Sequence, residues 1–335
     1  MDPLLQRLVS LVETRWPLQC ASIQPIKVRE NAVYAVHLRD GSKVVLRVHR
    51  CGYHCDAALQ SERTWMQALE EHGIEVPRHV LSHGGRSFEK SFIEGFDGER
   101  QVDVFHWIQG KQLGSVEQGV ALQGASVADI YRQVGQLAAR LHNQSSAWST
   151  PAGFLRHAWD AEGLAGERPF WGRFWDLAAL TDSQRRLFVE LRQALWRELN
   201  EFGTSADRYG LIHADLVPEN ILVDGESLQV IDFDDAGFGW HLFEIATSLY
   251  FIRRDSIYEA ARDAVVEGYR QHRPLSESHL ALLPMFLAAR GSTYLGWVHT
   301  RAGEPVAEEL TPALIELATA AAEDYLNGAA RLVPR

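Results

Sequence analysis

Apolar positions recur along the chain at two different spacings. Leu4, Leu5, Leu8, Leu11, Val12 and Trp16 follow a helical period and predict an amphipathic opening helix. Ser22–Val28, Val33–Leu38 and Lys43–Val48 then read as short strands rich in β-branched residues, and Asp40-Gly41 between the last two predicts a tight hairpin. A helix over Ala57–His72 should stop at Gly73, with Pro77 beyond, and shorter strands are expected over Ser87–Phe92 and Gln101–Trp107. Together these elements predict a small antiparallel sheet with one inserted helix.

After Gly110 the pattern becomes mostly helical. Val127–His142 carries Ile130, Val134, Leu137, Ala138 and Leu141 on one stripe, and Ser183–Asn200 carries Leu187, Leu191, Ala194 and Leu195. Tyr209–Ala214, Ile221–Val223 and Leu228–Ile231 read as brief strands, and residues 241–327 are helical almost throughout. The segment holding Trp148, Trp159, Trp171 and Trp175 has no assignable period, and no internal repeat is present. The expected fold class is α+β in two lobes, residues 1–108 and 109–331, joined near residues 107–111. Residues 332–335, Leu332-Val333-Pro334-Arg335, read as the remnant of a thrombin-cleavable tag.

Composition narrows the function classes. The 335 residues, 46% of them apolar, suffice for a real core. With 33 basic against 44 acidic side chains the net charge is −11, which argues against a nucleic-acid partner, since phosphate binding needs a basic face. The surplus is uneven: residues 1–108 carry 13 basic and 14 acidic side chains, the remainder 20 and 30. A ligand of the second half would therefore favour positive charge. The longest apolar run, around Leu282–Ala289, is interrupted by Pro284 and too short to cross a bilayer, so no membrane partner is expected. The opening residues lack a small-residue cleavage site, and three cysteines cannot build a disulfide framework; a reducing cytoplasm is the simplest location.

The chemistry concentrates in residues 211–250. His213-x-Asp215 is followed by Asn220 and, after an apolar run, by Asp232. A strand ending at His213 would present Asp215 on its loop, and a hairpin starting at Asn220 would return Asp232 beside that loop. Asp and Asn oxygens suit Mg²⁺, which takes few protein ligands and shares the rest with substrate phosphates. A carboxylate outside the metal shell can accept the proton of an attacking hydroxyl. Those are the parts phosphoryl transfer requires. Neither GxxxxGK[ST] nor GxGxxG is present, so neither a P-loop nor a dinucleotide site is indicated.

HADLVPEN followed by IDFDDAGFG resembles the HxDxxxxN and IDF/IDW motifs of the aminoglycoside phosphotransferase–choline kinase superfamily, a branch of the protein-kinase-like fold. RENAVYAVHLRDGSKVVLRVHR, SERTWMQALEEHGIEVP, DVFHWIQGKQL and LAARLHNQS resemble further segments of that family in the same order, so the likeness covers nearly the whole chain. The resemblance implies a small sheet-based N-lobe that grips ATP and a larger helical C-lobe. It makes Asp215 the catalytic base and gives Asn220 and Asp232 the Mg²⁺. Arg47 stands where the family usually has lysine on the α/β-phosphates, with Glu62 as its partner; arginine keeps the charge, but its fork is longer and planar. Phe105 and Trp107 fall in the linker strand whose backbone holds adenine, and Arg29-Glu30-Asn31-Ala32 would fold over the nucleotide.

Other residues carry two readings each. His213 is expected to brace the loop rather than act as a base. Asp234 and Asp235 suit either a cation or a capping role, and Glu244, where the family commonly has Asp, is expected to be a buried acceptor. Trp171, Trp175, Trp240 and Trp297 would serve as an ammonium cage or as core. Arg290, Tyr294, Trp297 and His299 fall at helical spacing where the family binds acceptors, with packing as the default. His49, Cys51, His54 and Cys55 crowd together without the spacing of a familiar closed metal site. The function expected is an ATP- and Mg²⁺-dependent kinase acting on a hydroxyl of a small, amine-bearing, cationic molecule. The alternatives are a protein serine/threonine kinase of the bacterial stress-response type, a catalytically silent nucleotide-binding module, and a metal-dependent hydrolase.

Overall fold

The structure, a computed structural model, describes residues 2–28, 31–115, 119–120, 126–225 and 227–332. The chain divides into two compact units, residues 1–110 with 150–155, and residues 111–149 with 156–335.

The first unit opens with α1 (Pro3–Arg15), which starts where Asp2 accepts the Leu4 N–H and Pro3 takes a position that needs no donor. Its buried face, Leu8 and Val12 with Trp16 just beyond, shares one core with Ile23 of β1 (Cys20–Val28), Tyr34 and Val36 of β2 (Ala32–Leu38) and Leu46 of β3 (Lys43–Val48). The Trp16 indole N–H reaches the Val80 carbonyl at 3.0 Å, so the ring enters the core without an orphaned donor. The β2–β3 turn closes at Asp40, whose carboxylate accepts the Ser42 N–H, and Gly41 supplies the left-handed φ of +87°. α2 (Asp56–Glu71) is inserted before β4 (Phe88–Phe92) and β5 (Glu99–His106). The sheet is antiparallel in the order β1-β2-β3-β5-β4, and its register sets Arg47 of β3 opposite Asp103 of β5.

The second unit begins with three two-residue strands, β6 (Lys111–Gln112), β7 (Gly114–Ser115) and β8 (Gly119–Val120). α3 (Val127–Ala147) follows, then β9 (Ala158–Trp159), α4 (Ala161–Ala165) and α5 (Asp182–Phe202), the last opened by a capping box between Thr181 and Gln184. β10 (Tyr209–Ile212), β11 (Ile221–Asp224), β12 (Ser227–Val230) and β13 (Gly237–Trp240) precede α6 (His241–Leu249), α7 (Tyr258–Arg270), α8 (Glu277–Leu280), α9 (Leu283–Thr300) and α10 (Pro305–Leu332). Among the described residues the strands form three small sheets, β12-β11-β6, β10-β13-β9 and the antiparallel pair β7-β8.

α3 and α7 meet backbone to backbone. A Cβ on Gly268 would lie 1.9 Å from the Arg132 carbonyl oxygen, and one on Gly135 would lie 2.1 Å from that of Val265. Only glycine fits either position. α9 is apolar on every side apart from Arg290, Ser292 and Thr293, and buried from Leu283 through Val298 except at Pro284 and Tyr294, the pattern of a helix at the centre of a bundle.

Two expectations change. The strand expected over Tyr209–Ala214 ends at Ile212, because Ala214 takes a left-handed φ of +63°. The tryptophan-rich segment resolves into β9, α4 and one 3₁₀ turn over Phe174–Asp176. β13, in the stretch GFGW, had no strand-like alternation to announce it. No helix among the described residues is long and apolar enough to cross a membrane.

Candidate active site

The loop after β10 is held by groups distant in sequence. Glu244 of α6 accepts the His213 N–H on Oε1 at 2.8 Å and the Ala214 N–H on Oε2 at 2.7 Å. On the other side, the Ala214 carbonyl accepts Nη1 of Arg290 from α9 at 3.1 Å. The positive φ of Ala214 is costly for a residue with a Cβ, and the two clamps hold it there. Burial pushes the Glu244 carboxyl up to about 7, against the two N–H bonds and the Arg290 charge, which lower it. His142 Nε2 lies 3.9 Å from Glu244 Oε1, but this is no ion pair: burial, with His241 and Arg273 nearby, holds the imidazole well below its ordinary range and therefore neutral.

His213 is fully buried and binds the loop to the strand that carries Asp232. Its Nδ1 accepts the Asp215 N–H at 3.3 Å and its Nε2 donates to the Ile231 carbonyl at 3.0 Å, a pairing that requires the Nε2–H tautomer. The ring stands edge-on to Phe233. This is a bracing arrangement with no nitrogen left to act as a base.

Asp215 is partly exposed, and both of its oxygens are oriented. Oδ2 accepts Asn220 Nδ2 at 2.6 Å, and Oδ1 accepts Arg290 Nη2 at 2.6 Å. Asn220 also donates Nδ2 to the Asp215 carbonyl at 3.0 Å, so every hydrogen bond of its side chain runs through the nitrogen and the amide oxygen stays available. The Ile231 N–H meets the Asn220 carbonyl at 2.9 Å and closes the hairpin, which brings Asp232 next to Asn220 along the backbone. Asp232 is exposed and has a φ of +67°. An amide oxygen and a carboxylate are hard donors, few in number, and fit a Mg²⁺ ion that completes its shell with water and phosphate.

Arg156 was missed in the sequence. This buried residue donates to the carbonyls of Phe233, Asp234 and Ala236 at 3.3, 2.5 and 2.5 Å, while Trp159 Nε1 and His157 Nε2 meet the Asp235 carbonyl at 2.9 Å. The turn after Asp232 is thus pinned through its backbone, and the side chains of Asp234 and Asp235 are buried.

In the first unit, Arg47 sits in a buried cluster of charge. Its Nε and Nη2 grip Asp103 at 3.1 and 2.7 Å, and Nη2 also meets Glu62 Oε1 at 2.8 Å. His49 Nε2 lies 3.1 Å from Asp103, and the Phe105 ring lies 4.9 Å from the guanidinium. Burial pushes the Asp103 carboxyl up, but Arg47, His49 and a bond from His79 outweigh it and hold it well below the usual carboxylate range. The carboxylate of Asp103 escaped the sequence reading; only the strand register puts it on Arg47. Trp107 lies beyond β5 with Lys43 over its ring. Of the expected nucleotide loop, Asn31 is buried and accepts the Arg50 N–H, whereas Arg29 and Glu30 lie outside the described residues.

The tryptophans face cations of the chain itself. Trp171 stands 5.1 Å from Arg290, Trp175 lies 4.4 Å from Arg192, and Trp297 lies 4.6 Å from Arg301, while Trp240 packs on Tyr209 and Phe286. That is core packing rather than an open ammonium cage. Among the described residues no three His, Cys, Asp or Glu side chains are grouped to hold a metal, so His49, Cys51, His54 and Cys55 form no such site.

Comparison with known proteins decides the family. Residues 22–277 match the phosphotransferase enzyme family. The chain belongs to that family. It is 38% identical over 267 residues to a homoserine kinase of Mesorhizobium japonicum, covering 78% of this chain and 74% of that protein. Its structure superposes on that of a microcompartment-associated aminopropanol kinase with a TM-score of 0.83 at 32% identity, over 96% of this chain and 97% of the other. An amicoumacin kinase solved in complex with AMP-PNP, Ca²⁺ and Ami shares the fold with a TM-score of 0.75 at 20% identity, covering 95% and 93% of the two chains. The protein is thus a small-molecule phosphotransferase with the α+β, protein-kinase-like fold of its family.

Proposed function

We propose that the protein transfers the γ-phosphoryl group of ATP, with Mg²⁺, to a hydroxyl of a small amine-bearing molecule. The observation that carries this reading is Asp215: a carboxylate with one oxygen on Asn220 and the other on Arg290, beside the hairpin that presents Asp232. Each carboxylate oxygen keeps a second lone pair for the acceptor O–H. Asp215 orients that hydroxyl and takes its proton as the new O–P bond forms and the bond to the ADP leaving group breaks. The Asn220 amide oxygen and Asp232 would hold Mg²⁺, which would supply positive charge to the phosphates. Arg47 is the candidate cation of the first unit, held by Glu62 and Asp103.

The acceptor class rests on two supports. The surplus acidic charge lies after residue 108. Homoserine and aminopropanol, named for the acceptors of two similar proteins, both join an amine to a hydroxyl. The test is a coupled ADP-release assay with Mg-ATP across amino alcohols, hydroxy amino acids, sugars and aminoglycosides. The reading expects turnover on amine-bearing alcohols; a response confined to uncharged sugars would contradict it.

A further inference from the structure

Arg290 is the single charged residue between Leu283 and Val298, in the middle of a helix that is otherwise apolar. A guanidinium placed there is expensive unless something uses its charge. Its bonds show where that charge goes. Nη2 reaches Asp215 Oδ1 at 2.6 Å and the Tyr294 hydroxyl at 2.8 Å, and Nη1 reaches the Ala214 carbonyl at 3.1 Å. The rings of Tyr294 and Trp171 flank the guanidinium at 4.5 and 5.1 Å. Nε, by contrast, is buried with no hydrogen-bond partner among the described residues. Both Nη groups converge on the catalytic loop, one on the Asp215 carboxylate and one on the Ala214 carbonyl. Its side chain is fully buried, whereas that of Asp215 is 20% exposed, so Arg290 acts on substrate only through Asp215.

We propose that Arg290, oriented by Tyr294, is a positioning residue for phosphoryl transfer: it fixes the plane of the Asp215 carboxylate and the Ala214 turn that presents it. The inference rests on Asp215 being the base. Asn220 restrains one oxygen, and without Arg290 the carboxylate is free to rotate about that contact, so the lone pair meant for the acceptor hydroxyl turns away. A rotation of this kind misplaces the accepting atom without removing a substrate contact, so it lowers kcat and leaves KM in place.

Arg290→Lys and Tyr294→Phe should be measured with Mg-ATP and the best acceptor, with Asp215→Asn beside them and thermal unfolding of each. Lysine keeps the charge but cannot bridge Asp215 and Ala214 as a fork, so a fall in kcat of about 100-fold is expected, with both KM values within about threefold. Tyr294→Phe should lower kcat by a smaller factor in the same pattern. For Arg290→Ala, millimolar guanidinium should restore part of the lost kcat, and urea, of the same shape without the charge, should not. A folded Arg290→Lys with kcat near wild type overturns the proposal, as does a rise in acceptor KM at constant kcat. If the Arg290 variants do not fold, Tyr294→Phe decides alone: unchanged kcat overturns the proposal and a reduced kcat at constant KM supports it. Full activity in Asp215→Asn would instead overturn the assignment of the base.

Discussion

Replacing Glu244 by glutamine tests how the catalytic loop is held. The carboxylate accepts two backbone N–H groups at 2.8 and 2.7 Å from a position with no solvent access. Glutamine offers one acceptor and turns a donor towards the second N–H, so one buried donor is left unmet at about 1–3 kcal/mol, and the left-handed Ala214 loses half its clamp. The pH dependence of this loss discriminates better than its size. Burial raises the Glu244 carboxyl from 4.5 to about 7 in the folded protein. The stability linked to this raised group is fully present below pH 4.5 and is lost as the pH climbs through about 7. The shift corresponds to about 3 kcal/mol. Glutamine does not titrate, so the advantage of wild type over Glu244→Gln should be larger at pH 5 than at pH 8 by about that amount. Urea denaturation of both proteins at the two pH values measures it, since other titrating groups cancel in the difference. A gap independent of pH would refute the claim that burial dominates over the hydrogen bonds and Arg290.

Asp103→Asn removes the carboxylate that grips Arg47 with two hydrogen bonds in a buried cluster and should destabilise the first unit by about 3–5 kcal/mol. Because the Asp103 carboxyl is depressed, the stability linked to it is present above its ordinary 3.8 and disappears as pH falls through the folded value, so the penalty should shrink in acid denaturation. Gly268→Ala drives a Cβ to 1.9 Å from the Arg132 carbonyl and should cost at least about 2 kcal/mol by thermal or urea unfolding, with the helix content of the remaining fold unchanged. Asp232→Ala should leave a folded protein whose transfer activity is nearly lost and whose residual rate needs more Mg²⁺, read from a metal titration of turnover.

The parts of the fold that could be read from sequence are those whose signals are local. Asp40-Gly41 announced the β2–β3 hairpin because a turn's chemistry sits in the turn. The stripe from Ile130 to Leu141 lies on α3, although the helix runs on to Ala147, since fraying ends carry no pattern. Asp215, Asn220 and Asp232 could be placed together because one short hairpin joins them. Glu244, Arg156 and Asp103 reach their partners through tertiary packing, over separations that no spacing rule spans. β6 is a strand only because β11 pairs with it, so two residues of sequence hold no trace of it. Arg290 did carry a signal that went unused. A lone charge in the centre of an apolar helix must be buried and paired, and Arg290 is both.

In the proposed mechanism Asp215 serves as the base of an ATP-dependent transfer to an amine-bearing alcohol. Its most direct test is ³¹P NMR of the product formed from Mg-ATP and the best amino-alcohol acceptor by wild type and by Asp215→Asn. Wild type should form a phosphate monoester, and the variant should stay folded and bind nucleotide while forming it at least about 100-fold more slowly. Product formation by Asp215→Asn at the wild-type rate would contradict the account.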